Sequence, residues 1–167
     1  STAVGKSILS KAADTIKRVT LELGGKGPNI ILDDADLSVA VDGSLFAAMA
    51  NNGQACEAGT RLLVPNSIAG EFLAKLIDRA KTLKLGDPLD PATDVGPVIT
   101  KKQQERILAY LEGAKAQGAT AAVGGGVPEG PEFETGNWIE PTIFTGVTND
   151  MTIAREEVFG PVLVVLD

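Results

Sequence analysis

Among its 167 residues the chain has one cysteine, Cys56, and no histidine. Without imidazole there is no Ser-His-Asp or Cys-His catalysis and no histidine metal site. Covalent catalysis is still open to a thiolate paired with a carboxylate base. One cysteine also excludes an internal disulfide and a Cys-rich zinc or iron–sulfur site, leaving a reduced, cytoplasmic type of protein. Cys56 lies in Asn51-Asn52-Gly53-Gln54-Ala55-Cys56-Glu57-Ala58-Gly59. A lone cysteine is more often a small buried hydrophobe than a nucleophile. Its glycine and polar neighbours nevertheless predict a turn beside helix ends, where backbone N–H groups can lower a thiol pKa and stabilise an oxyanion.

Two carboxylate positions stand out. Glu22 sits between Leu21 and Leu23 in a strand-like run. It is either an edge carboxylate pointing to water or, if the strand is buried, a desolvated general base with a raised pKa. The pair Glu156-Glu157 precedes Phe159-Gly160-Pro161 and reads, by composition, as a solvated turn. Gly24-Gly25-Lys26 fails the Walker pattern, because Gly27 follows the lysine and the upstream glycine is missing. No G-x-G-x-x-G fingerprint occurs, and Gly124-Gly125-Gly126 precedes no helix pattern.

These residues need elements to hold them. Val4, Ile8, Leu9, Ala12, Ala13 and Ile16 have helix spacing over residues 1–16. Residues 18–23 and 29–32 read as strands, and Asp36 as the N-cap of a helix carrying Val41, Leu45, Phe46 and Met49. That helix should fray at Asn51-Asn52-Gly53. A strand over 61–64 and a helix after Ser67, with Phe72, Leu73, Leu76, Ile77 and Ala80 on one face, come next. Residues 86–97 read as loop, Thr100 caps a helix ending near Gly118, and 121–123 form a short strand. After the loop 124–137, strands are expected at 138–144 and 162–166. Strand, helix and loop alternate, so the expected class is α/β with a mostly parallel sheet and flanking helices.

The net charge of −7 argues against nucleic-acid or anionic-membrane partners, which need clustered Lys and Arg. No apolar run reaches the ~20 residues that span a bilayer. The chain opens inside a helical pattern and stops in the apolar run Val162-Leu163-Val164-Val165-Leu166, so a longer protein is expected around it.

Leu21-Glu22-Leu23-Gly24-Gly25-Lys26, Asn52-Gly53-Gln54-Ala55-Cys56 and Glu156-Glu157-Val158-Phe159-Gly160-Pro161, in that order, resemble the aldehyde dehydrogenase superfamily. Asp33-Asp34-Ala35-Asp36-Leu37, Gly96-Pro97 and Glu140-Pro141-Thr142 fit as well, so the resemblance covers the whole chain. It implies oxidation of a small-molecule aldehyde to a carboxylic acid with NAD or NADP. Cys56 would attack the aldehyde carbon, hydride would pass to the nicotinamide, and Glu22 would activate the water that hydrolyses the thioester. The Cys56 N–H would form half of the oxyanion hole. By the same resemblance Glu157 would hold the nicotinamide ribose, Phe159 would pack near the ring, Leu23 and Gly24 would approach it through the backbone, and Ser1 would touch the pyrophosphate.

The resemblance further implies that residues 1–24 end the cofactor-binding domain and link it to the catalytic domain, of which 25–167 are a truncated part. The adenosine-side residues, the second oxyanion-hole donor and the subunit-bridging strand would lie outside this sequence. The full-length protein would be a homo-oligomer, dimer or tetramer. The alternative is a truncated, non-catalytic fragment that only folds or packs within a longer chain. An acyl-CoA-forming relative is disfavoured by the presence of Glu22.

Overall fold

The computed structural model describes residues 1–166. After helix α1 (Thr2–Ala13), the order is β1 (Pro28–Ile30), α2 (Leu37–Met49), β2 (Arg61–Leu63), α3 (Asn66–Ala80), α4 (Lys101–Ala116), β3 (Thr120–Val123), β4 (Thr142–Val147), α5 (Thr152–Arg155) and β5 (Val162–Leu166). The strands form one sheet in the order β1-β2-β5-β4-β3, parallel throughout except for the antiparallel edge strand β3. The expected α/β class and mostly parallel sheet are what the chain adopts.

The apolar run at the end of the chain becomes the central strand. Side chains alternate across a strand, and β5 sends Val162, Val164 and Leu166 to one core and Leu163 and Val165 to the other. The first core is closed by Ile107 and Leu111 of α4 with Ile153 of α5. The second is closed by Val41 and Leu45 of α2 with Phe72 and Leu76 of α3. A strand covered on both faces has no solvent side, which is why five consecutive apolar residues fit it.

Local signals set several boundaries. The Asp36 carboxylate accepts from the N–H groups of Ser38 and Val39 at 2.9 and 3.1 Å, starting α2 as expected, and the Ser38 hydroxyl, donating at 2.7 Å, does most, ahead of those two bonds, to hold its pKa below the ordinary carboxylate value. Thr100 caps α4 by accepting from Gln103 N at 3.2 Å. The α2 helix does break where expected, into a 3₁₀ turn over Ala50–Gly53 in which Asn51 and Asn52 take the left-handed conformation.

Two expectations are corrected, and one element lies outside them. Residues 18–23 pair with no strand among the described residues. They form no regular element, with the half-buried Leu21 and Leu23 packed near Gly5 of α1 and Glu22 exposed between them. The period-two alternation is real, but a strand exists only where a neighbouring backbone completes its ladder. The strand expected over 138–144 begins at Thr142, because Pro141 has no N–H to donate and the chain before it runs outside the ladder. The short helix α5 carried no readable signal at four residues.

Candidate active site

Cys56 lies in a turn after the broken end of α2, where Ala58 N donates to Ala55 O at 3.3 Å, and its side chain is exposed. The chain ahead of it is fastened at three points. Asn52 accepts from Gly96 N at 2.7 Å and donates to Pro97 O at 3.1 Å, and Gln54 accepts from Ile99 N at 3.0 Å. The loop over 96–99 is therefore the floor of the cysteine turn. The thiol donates to the Glu57 carboxylate at 3.1 Å. That bond, together with the carboxylate's charge, raises the Cys56 pKa above its ordinary value. Backbone hydrogen bonds at Cys56 and Glu57 act in the opposite direction and are smaller. The expected lowering by backbone N–H groups is thus outweighed by a neighbouring carboxylate.

Glu22, the candidate base, is exposed between Leu21 and Leu23, whose side chains lie near Gly5 of α1. Of the two sequence readings, the described chain adopts the solvated carboxylate. The structure gathers the cofactor candidates more tightly. Ser1, Leu23, Gly24 and Glu157 line one cleft of about 330 Å³, together with Arg106 and Arg155. Gly24 has φ +78, and a β-carbon there would collide with the Glu157 carboxylate. The next residue, Gly25, donates its N–H to Glu157 at 3.4 Å. The positive φ is what favours glycine here, and a side chain would displace the Glu157 carboxylate from this approach.

Phe159 does not line that cleft. Its backbone is left-handed at φ 59, and its carbonyl accepts from Gln103 at 2.8 Å. Immediately beyond it, the Gly160 carbonyl lies against Gly53, where no β-carbon would fit. The segment 156–161 thus runs from the cleft to the turn that carries Cys56.

Sequence reasoning missed four residues here. Gln103, Arg106 and Tyr110 of α4 all bind the 156–159 segment. Their spacing is one helix face and was legible as a polar stripe. Lys26 was weighed only as a phosphate-loop lysine. Its ammonium is buried without a hydrogen-bond partner, and burial, then the charge of Arg61, lower its pKa to about 7 against the opposing pull of Glu157. Nothing in the sequence marks that burial.

The cleft offers a carboxylate to accept from a diol, guanidinium groups for phosphate, and bare backbone at Gly24-Gly25 for a flat ring; that donor set fits a nicotinamide dinucleotide. Among the described residues no group of His, Cys, Asp and Glu is placed to hold a metal ion, and no helix is long and apolar enough to cross a membrane.

Known proteins share this sequence and fold. A betaine aldehyde dehydrogenase of Brucella anthropi is 48% identical over all 167 residues, which cover 34% of that protein. The NAD+ complex of an aldehyde dehydrogenase from Bacillus cereus superposes with a TM-score of 0.93 at 49% identity, over 99% of this chain and 33% of that one. A betaine aldehyde dehydrogenase from Staphylococcus aureus in complex with NAD+ gives 0.95 at 47%, over 98% and 32%. The chain thus spans about a third of the length of the relatives it matches. With the family pattern matched over residues 1–167, the chain belongs to the aldehyde dehydrogenase family.

Proposed function

We propose that this chain is the cysteine-bearing part of an enzyme that oxidises an aldehyde to a carboxylic acid, with NAD or NADP as the cofactor to which the family and its NAD+ complexes point. One observation carries the reading. The segment that bears Glu157 closes the cleft at Gly24 and Gly25 and then packs on the turn that presents Cys56, so one stretch of backbone registers a cofactor site against a thiol.

Cys56 is the nucleophile. Its thiolate adds to the aldehyde carbon and forms a thiohemiacetal, and the Cys56 N–H donates to the developing oxyanion. A bound nicotinamide dinucleotide supplies the hydride acceptor, and a thioester on Cys56 remains. Glu22 takes a proton from the water that attacks this thioester, releasing the acid and restoring the thiol. Glu157 would accept from the ribose hydroxyls, Leu23 and Gly24 would approach the ring, Ser1 would meet the pyrophosphate at the start of α1, and Phe159, which lies just beyond the cleft, would flank the ring on the Cys56 side. In this reading residues 1–24 end the cofactor-binding domain, 25–167 belong to the catalytic domain, and the full-length protein is a cytoplasmic dimer or tetramer. Exposed Val4, Ile8 and Leu9 on α1 support a covering surface there.

The betaine aldehyde dehydrogenases among the relatives make a small cationic aldehyde the first substrate to assay. Replacement of Cys56 by Ala in the full-length enzyme is expected to reduce aldehyde-dependent NADH formation to background; a variant that keeps turning over removes the reading. A second reading applies to the 167 residues by themselves: they fold but do not turn over. The exposure of Glu22 favours it. Aldehyde oxidation by the isolated chain, lost in Cys56→Ser, would exclude it.

A further inference from the structure

Two adjacent glutamates, Glu156 and Glu157, are treated differently by helix α4. The Tyr110 hydroxyl donates to the Glu156 carboxylate at 2.7 Å. Arg106 donates from Nη2 to the main-chain oxygen of Glu157 at 2.7 Å, and its guanidinium lies 5.5 Å from the centre of the Tyr110 ring. Gln103 donates to the carbonyls of Val158 and Phe159 at 3.1 and 2.8 Å. Every main-chain carbonyl from 157 to 159 is therefore held by a side chain of one helix, while the Glu157 carboxylate is left to meet Gly24 and Gly25.

Glu156 has extended backbone, φ −108 and ψ 149. In extended backbone neighbouring side chains point to opposite sides. Both glutamates line the cleft, Glu156 on its α4 wall against Tyr110 and Glu157 across from it at Gly24 and Gly25. We infer that Tyr110 is a positioning residue: by holding Glu156 on the α4 wall of the cleft it leaves the Glu157 carboxylate alone at Gly24 and Gly25, and so sets the affinity for the ribose diol of a nicotinamide dinucleotide. The inference rests on the reading of Glu157 as the ribose-binding carboxylate. Without the hydroxyl, Glu156 is free to swing, and two like charges then compete for one face of the segment.

The test is calorimetric titration of the full-length enzyme, as wild type, Tyr110→Phe, Glu157→Gln and the double variant, with NAD+ and separately with ADP, which lacks the nicotinamide ribose. Tyr110→Phe is expected to weaken NAD+ by roughly three- to tenfold, the size of one lost hydrogen bond, and to leave ADP unchanged. In the Glu157→Gln background the same change is expected to do nothing further. Wild-type NAD+ affinity in Tyr110→Phe, or equal losses for NAD+ and ADP, overturns the inference. Wild-type NAD+ affinity in Glu157→Gln removes the ribose reading and the inference with it, whereas a loss there beside a silent Tyr110→Phe removes the inference alone.

Discussion

Gly53 lies against the carbonyl of Gly160 so closely that a β-carbon on it would also stand 2.7 Å from the Pro161 nitrogen. Its φ of +67 disfavours any side chain as well. This contact joins the turn ahead of Cys56 to the segment behind Glu157. Gly53→Ala therefore has to move backbone rather than a flexible side chain. We expect a loss of about 1–3 kcal/mol in stability from strain and overpacking, with weaker NAD+ binding and slower Cys56 alkylation together. Gly70→Ala on α3 has open space around its β-carbon and should instead stabilise by about 0.5–1 kcal/mol. Urea unfolding of the two variants checks both; equal midpoints would show that the Gly53 contact yields freely.

The Cys56–Glu57 hydrogen bond makes a prediction about pH. A thiol that donates to a carboxylate is favoured over a thiolate beside that same charge, so Glu57 holds the Cys56 pKa up while its own is held down. Glu57→Gln removes the charge and should lower the thiol pKa. The rate of iodoacetamide labelling followed against pH should then rise at a lower pH than in the wild type. A profile that stays in place, or moves up, would show that Glu57 does not control the thiol.

How far the sequence carried can be read residue by residue. Asp36 and Thr100 are local signals: a short polar side chain satisfies the free N–H groups of its own helix, and both caps stand where expected. The β5 run is legible for the same reason, since only a strand covered on both faces takes five apolar residues in succession. The stretch 18–23 misleads because alternation reports which side chains turn inward and not whether a neighbouring backbone exists. The ordered motifs name Ser1, Leu23, Gly24 and Glu157, which line one cleft, whereas Gln103 and Arg106 bind main-chain carbonyls and Tyr110 a carboxylate some 50 residues away. Their shared helix face is a visible polar stripe, but the partners it meets leave no local pattern, and neither does the burial of Lys26 beside Arg61.

Glu22 is tested by separating the first turnover from later ones. If it activates the hydrolytic water, Glu22→Gln leaves thiol attack and hydride transfer intact and stalls the thioester. Rapid mixing should show a burst of NADH close to one equivalent per active site, followed by a steady rate slower by roughly 10²- to 10⁴-fold, the usual worth of a general base. A variant without a burst, slowed equally in every turnover, assigns Glu22 to an earlier step.

Lys26 predicts a stability that depends on pH with a known sign. Its ammonium is buried beside Arg61, and its pKa falls from 10.5 to about 7, against the pull of Glu157. Between pH 7 and 10.5 the unfolded chain therefore binds more protons at this residue than the folded one, and stability rises with pH through that window. Below about pH 7 both states are protonated and the cost of burying the charge is at its full value. Lys26→Met carries no such cost, so its advantage over the wild type in urea unfolding should be largest near pH 6–7 and shrink steadily towards pH 10. Glu157→Gln removes the one neighbour that favours the charged form, and in an otherwise wild-type chain it should deepen the loss at neutral pH. Parallel curves for Lys26→Met and wild type across this range would mean that the ammonium reaches solvent when it is charged, and Lys26 would then be an ordinary surface lysine.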